Sequence, residues 1–281
     1  MYNLRYHIAS LVAVFLALAL GLVLGGLVVQ QGSVSQNQRS IVAGLQRDFK
    51  RIKDQNADLR SDLQFERGFS AQLTDQWVTG RLDGRSIIVL TSGEKTEGGE
   101  AAVSAIKDAG GSPVVVTLLL GDFGLNNSKV ADALKSIAPT STDLHADAVR
   151  GLVAEWTTAD QPRPFTDALV KAGAISVAGM HGSTVATCAV DLAAFSKKPD
   201  TAALDVARAY ADMGFFAAGA QTGTSGTGVA AAAAQRKLSA FDTLGTQAGR
   251  FTLVTLFSGG EQGYFGRAQG VDQAFPAAPS E

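Results

Sequence analysis

Residues 8 to 29 read IASLVAVFLALALGLVLGGLVV, a run of 22 residues without a charge and with Ser10 as its only polar side chain. As a helix rising about 1.5 Å per residue, the run reaches roughly 33 Å, enough for a bilayer core of about 30 Å. A cleaved signal peptide has a shorter apolar core, about 7–15 residues, followed by a small-residue cleavage site. Here the core is longer and Val28-Val29-Gln30-Gln31 follows it, although Gly25-Gly26 offers small residues. The core helix of a soluble protein carries a polar face, and this run has none. The expectation is therefore a single transmembrane helix over 8–29, with residues 1–7 on one side of the membrane.

Flanking charge sets the expected orientation. Arg5, His7 and the terminal amine precede the span, and the first cation after it is Arg39. The positive-inside rule then places the N-terminus in the cytoplasm and the bulk of the chain outside. Ala17, Gly21 and Gly25 recur every four residues. Such a small-residue face lets two membrane helices approach closely, and it is also common in membrane helices generally.

Gln30 to Gln38 is polar and reads as a short hinge. From residue 40 to 79 a heptad pattern follows, with a at Val42, Phe49, Asn56, Leu63, Ser70 and Trp77, and d at Leu45, Ile52, Leu59, Glu66 and Leu73. Eight of these eleven positions are apolar, which meets the requirement for a coiled-coil seam. The dimer seam is expected at Leu45, Phe49, Ile52, Asn56, Leu59 and Leu63. Position g holds Asp48, Gln55 and Asp62, and the facing e positions hold Lys53, Arg60 and Arg67. In a parallel pair of helices these are opposite-charge or neutral pairs. A lone Asn at an a position fixes register in two-stranded parallel coils. Glu66 and Ser70 weaken the seam. The competing reading is one amphipathic helix packed on its own C-terminal domain.

Gly80 and Gly84 mark a boundary. From residue 85 to 266 short apolar runs alternate with helical patterns. Ser86–Leu90 is a continuous apolar run, as in a strand buried on both faces, and Pro113–Leu120 is a second. Further strands are expected at 174–178, 214–219 and 238–242. Helices are expected at 101–109, 128–137, 143–156, 164–172, 201–213, 228–236 and 248–257. This alternation predicts an open, mostly parallel, Rossmann-like α/β domain. The stretch 267–281, with Pro276 and Pro279 among Ala and Ser, reads as a disordered tail.

Composition narrows the function. A net charge of −2 gives no bulk attraction to nucleic acid. The single cysteine, Cys188, allows no internal disulfide, so the domain must hold by its core. Neither a phosphate loop, a nucleophile elbow nor a dinucleotide fingerprint is present, so an enzyme is not expected. Gly223-Thr-Ser-Gly-Thr-Gly228 precedes a helix and has the composition to cradle an anion; a plain loop is the simpler reading. Met180, His181 and Cys188 are the one local grouping of soft ligands, the chemistry that suits Cu(I), although their spacing matches no standard site. Cys188 also reads as a core residue. No resident cofactor is implied; copper is the metal such a set would take. The short continuous strands do not form the alternating segments of a membrane β-barrel.

Asn3-Leu4-Arg5-Tyr6-His7, followed by the apolar run through Leu20-Gly21, resembles the N-terminus of the actinobacterial MctB-like family of copper transport proteins. A late segment, Phe241 to Arg250, and Gly263-Tyr264-Phe265-Gly266 are also similar. Phe241 and Leu244 depart from the family pattern at the first, and Phe265 is inserted at the second. The resemblance covers nearly the whole chain. It implies copper homeostasis or efflux and an outer-membrane assignment. The SteB-like members imply a second role, in cell separation with envelope and cell-division partners. No copper ligand carries over to Met180, His181 or Cys188.

Overall fold

The computed structural model describes residues 4–30, 33–93, 97–181, 185–186, 188–191, 201–223, 228–277 and 279. The chain divides into two compact units, 1–67 and 68–281. The first unit is helical. Helix α1 (Leu4–Gln30) contains a segment, Tyr6–Leu27, long and apolar enough to cross a membrane, with none of it buried by the protein. Helix α2 (Ser33–Val78) begins in this unit and ends in the second. The polar stretch expected to be a hinge is therefore helical from Ser33. Gln, Ser and Asn are tolerated in a helix, and Gly32 is the one weak helix former there; residues 31–32 themselves lie outside the described set.

The second unit is α/β. After α2 come β1 (Ser86–Ser92), α3 (Glu97–Asp108), β2 (Ser112–Leu118), a 3₁₀ turn (Gly121–Gly124), α4 (Ser128–Ile137), α5 (Leu144–Thr157) and α6 (Pro164–Lys171). Then follow β3 (Ile175–Ala178), β4 (Cys188–Asp191), α7 (Thr201–Asp212), β5 (Phe216–Ala220), α8 (Val229–Gln235), β6 (Ser239–Phe241), α9 (Gln247–Phe257) and β7 (Tyr264–Phe265). The seven described strands form one sheet in the order β3-β2-β1-β4-β5-β6-β7. β3 runs antiparallel to β2 and every other pairing is parallel.

The apolar run of β1 is explained by its central place. Ile87 and Val89 face a core with Ile106, Leu253 and Phe257, while Ile88 and Leu90 face the opposite core with Leu152, Trp156 and Tyr210. With cores on both faces, the four residues Ile87 to Leu90 are all apolar. Complete burial of each Ile is worth about 1.5–3 kcal/mol. Val78 and Leu82 bring the end of α2 and the turn after it into the α3/α9 core.

Local chemistry sets the helix starts. Asn127 accepts from Lys129 N–H at 3.0 Å to cap α4, and Asp143 accepts from Ala146 N–H at 3.0 Å to cap α5. α6 has Pro164 at its first turn, and buried Glu155 accepts from Phe165 N–H at 2.7 Å and Thr166 N–H at 2.9 Å. Glu155 is thus a capping group for a neighbouring helix, with its charge fully used.

Two features depart from the sequence reading. β4 lies at the centre of the sheet, yet Cys-Ala-Val-Asp is too short and too mixed to announce a strand. The segment after Gly266, expected to be disordered, is bonded to the sheet through residue 273. Asp242 accepts from Arg267 N–H at 2.9 Å and also from Ala268 N–H, Asp272 accepts from Tyr264 N–H at 2.8 Å, and Phe265 bridges Gln273. A buried carboxylate in need of donors therefore orders a stretch that composition alone leaves loose.

Candidate functional site

The sulfur–imidazole set is divided by the sheet. Met180 and His181 follow the edge strand β3, whereas Cys188 opens central β4, with β2 and β1 between them. Ala178 and its sheet-mate Val190 are three strand spacings apart, roughly 14 Å. Met180 packs partly buried against the core, and the exposed His181 accepts at its carbonyl from Arg163 Nη1 at 3.2 Å. The side chain of Cys188 lies outside the described residues. Among the described residues no group of three His, Cys, Asp or Glu is arranged to hold a metal ion.

The two ends of the glycine loop, Gly223 and Gly228, meet the side chain of Gln221. Gln221, almost fully buried, accepts from Ala230 N–H at 3.0 Å and donates to the Gly223 carbonyl at 2.6 Å. A Cβ at Gly228 would stand 2.0 Å from Gln221 Oε1. Gln221 thus caps the start of α8 with a side chain of this protein; residues 224–227 of the loop lie outside the described set.

Sequence reasoning missed a charged cluster around His145. Its Nδ1 lies 2.7 Å from Asp122 Oδ1 and its Nε2 lies 3.0 Å from Asp205 Oδ2. Arg236 pairs with the other oxygen of Asp205 at 3.1 Å. Phe123 packs on the imidazole, with centroids 5.7 Å apart. Asp122 and Phe123 both have φ of 52°, a left-handed conformation unfavourable for residues other than glycine. The cluster therefore clamps a strained turn to α5, α7 and the end of α8. Both ring nitrogens are engaged, on opposite sides of the ring, so the three residues do not converge on a point where a metal could sit. Gly121-Asp-Phe-Gly124 is the only trace of this turn in the sequence, and nothing in linear spacing links it to residues 145, 205 and 236.

The apolar seam residues of α2 are uncovered. Phe49, Leu59 and Leu63 are 67%, 60% and 55% exposed, and Leu45 and Ile52 are at least half exposed. Asn56 donates back to its own helix at the Ile52 carbonyl, 2.9 Å away. Ala17, Gly21 and Gly25 are likewise uncovered on α1.

Within the second unit, the end of α2 meets α9. Trp77 packs at a tilt against Phe251, with centroids 5.7 Å apart, and donates from Nε1 to Thr255 Oγ1 at 3.3 Å. The Arg81 guanidinium sits 3.6 Å above the Trp77 ring. Arg250 of α9 pairs with Asp75 and, at 3.2 Å, with Asp108. Beside this contact lies an open apolar groove of about 600 Å³, bounded by Leu73, Trp77, Ala248, Phe251, Phe275 and Pro276.

The two family-like segments meet in space. Asp242, fully buried, lies against Gly266, where φ is 136° and a Cβ would stand 2.0 Å from Asp242 Oδ1. Gly249, where a Cβ would stand 2.1 Å from the Thr243 carbonyl oxygen, closes the same loop against α9. The resemblance at these positions is thus carried by a structural lock rather than by a ligand set.

A single apolar helix, a long helix with an uncovered apolar stripe and an α/β unit define a membrane-associated protein with no assembled catalytic constellation among its described residues. The chain belongs to the family described as "Copper transport outer membrane protein, MctB", which matches residues 1–276. It is similar to the copper transporter MctB of Mycobacterium tuberculosis and to that of Mycobacterium bovis, at 34% identity over 142 residues. The match covers 50% of this chain and 44% of each relative, so it spans less than half the length of those proteins. No solved structure matches the chain.

Proposed function

We propose that this chain is a membrane-anchored envelope protein of copper homeostasis, held in the membrane by α1 with its N-terminus cytoplasmic. Family membership supports the copper role, and the helix at Tyr6–Leu27 supports the anchor. Deletion of the gene is expected to raise cellular copper and copper sensitivity. Unchanged metal content in the deletion strain would remove the copper role.

The geometry favours a particular way of working. The observation that carries it is the uncovered stripe Leu45, Phe49, Ile52, Leu59 and Leu63 on α2. Five large apolar side chains exposed in phase along one helix call for a partner helix. The paired charges at g and e suit a second copy in parallel, and a common membrane anchor imposes that direction. In this reading the Rossmann-like domain is carried on a dimeric coiled coil and presented to envelope partners, and copper is affected through them. The same scaffold suits the cell-separation role implied by the SteB-like resemblance. In a Cys188→Ala background, single Asn56→Cys or Leu59→Cys chains are expected to form disulfide dimers in native membranes. A chain that stays monomeric there would remove the scaffold reading.

A further inference from the structure

We propose that the groove between the end of α2 and α9 is a continuation of the dimer seam, filled by the last turns of α2 from a second copy of this chain. The inference rests on the parallel-dimer reading above and extends it into the α/β unit.

Three observations select this occupant. The α2 side of the groove is built from Ser70, Leu73 and Trp77, which are the a, d and a positions of the same heptad register, with Thr74 at e. The seam's heptad register is thus carried by the sequence into the lining of the groove. Second, the seam is weakest where the groove begins, at Glu66 and Ser70, where a two-stranded coil lacks apolar contacts. Phe251, Phe275 and Pro276 add apolar surface from outside α2 at that place. Leu73 and Phe275 are 49% and 52% exposed, so the surface is uncovered in the single chain. Third, the charge pattern changes in step. The g-to-e pairs Asp48–Lys53 and Asp62–Arg67 are complementary, and the next pair, Phe69 with Thr74, is uncharged. Phe69, itself 53% exposed, is the side chain that a neighbouring copy would bring to the groove. By two-fold symmetry each chain gives its α2 to the other's groove, making a four-helix layer of two α2 ends and two α9 helices.

The test uses the full chain in membranes, with Cys188→Ala throughout. Two differently tagged forms are co-expressed, one carrying Phe69→Cys and the other Ala248→Cys. Each chain has one thiol, so a disulfide joining the two tags reports α2 of one copy against α9 of the other. The mixed-tag product is expected, and Phe251→Glu in both chains should reduce it about tenfold. The Leu59→Cys chain is oxidised in parallel. If Leu59→Cys dimers form and the mixed-tag product does not, the groove inference is overturned and the coil stands. If neither forms, both readings fall. Ala248→Cys crosslinking to another protein in place of this chain would also overturn the inference.

Discussion

The two ends of α2 show what decides the fate of an apolar stripe. In its first unit the helix presents Leu45, Phe49, Leu59 and Leu63 to solvent, whereas Val78 and Leu82, at and just beyond its end in the second unit, are completely buried. Val78 and Leu82 fall off the a and d positions that carry Leu45, Phe49, Leu59 and Leu63. The difference is that α3 and α9 cover the second stretch and no described element covers the first. Burial by the chain's own fold makes the second stretch a matter of stability, whereas the proposed function makes the uncovered first stretch a matter of assembly. Each of the following experiments puts that division at risk.

The largest effect is expected inside the α/β core. Trp156 is almost fully buried and donates to Thr166 Oγ1 at 3.0 Å. Trp156→Ala should destabilise the unit by about 3–5 kcal/mol, read from urea unfolding of the full chain in detergent micelles. Next comes the lock at Asp242. Asp242→Ala strips the acceptor from the Arg267 and Ala268 N–H groups and should cost about 2–4 kcal/mol, because buried donors lose their partner. Limited proteolysis should then cut within 267–277. Resistance to cutting there would mean that other contacts hold the segment.

The seam should behave in the opposite way. Leu59→Asp is expected to change urea unfolding of the α/β unit by less than about 0.5 kcal/mol, as for an exposed position, while removing the disulfide dimers trapped at residue 56. If the domain's midpoint moved with the dimer, the separation between stability and assembly would be lost.

What was legible in the sequence follows the same division. Elements whose signal is local and strong were readable: the 22-residue apolar run, the β1 run buried on both faces, and the helices at 128–137 and 143–156. β4 was missed because a central strand of four residues draws its definition from its neighbours, not from its own pattern. β3 was read as a strand at 174–178, but its antiparallel direction is set by its pairing with β2 and not by its own residues. The His145 cluster brings together residues from 122 to 236, and only the packing of α5 on α7 creates it. Met180, His181 and Cys188 illustrate the converse, since closeness along the chain was undone by the insertion of β1 and β2 between their strands.

The smallest effect concerns the far edge of the sheet, where β7 and the segment after it cover β6. Tyr264 is buried, and burial first, then the negative charge of Asp242, hold its phenol above the usual tyrosine range. Both causes act against the phenolate, so the folded state keeps its proton more tightly than the unfolded chain does. The resulting stability is complete below the ordinary tyrosine pKa of about 10 and is lost as pH rises through the higher folded-state value. Thermal unfolding of the full chain should therefore fall more steeply with pH above about 10 for the native sequence than for Tyr264→Phe. Because Asp242 supplies one of the two causes, Asp242→Asn should shrink the same slope without abolishing it. An unchanged slope in Tyr264→Phe would mean that alkaline loss of stability begins elsewhere, and that this edge contributes only through the backbone bonds of Asp242 and Asp272.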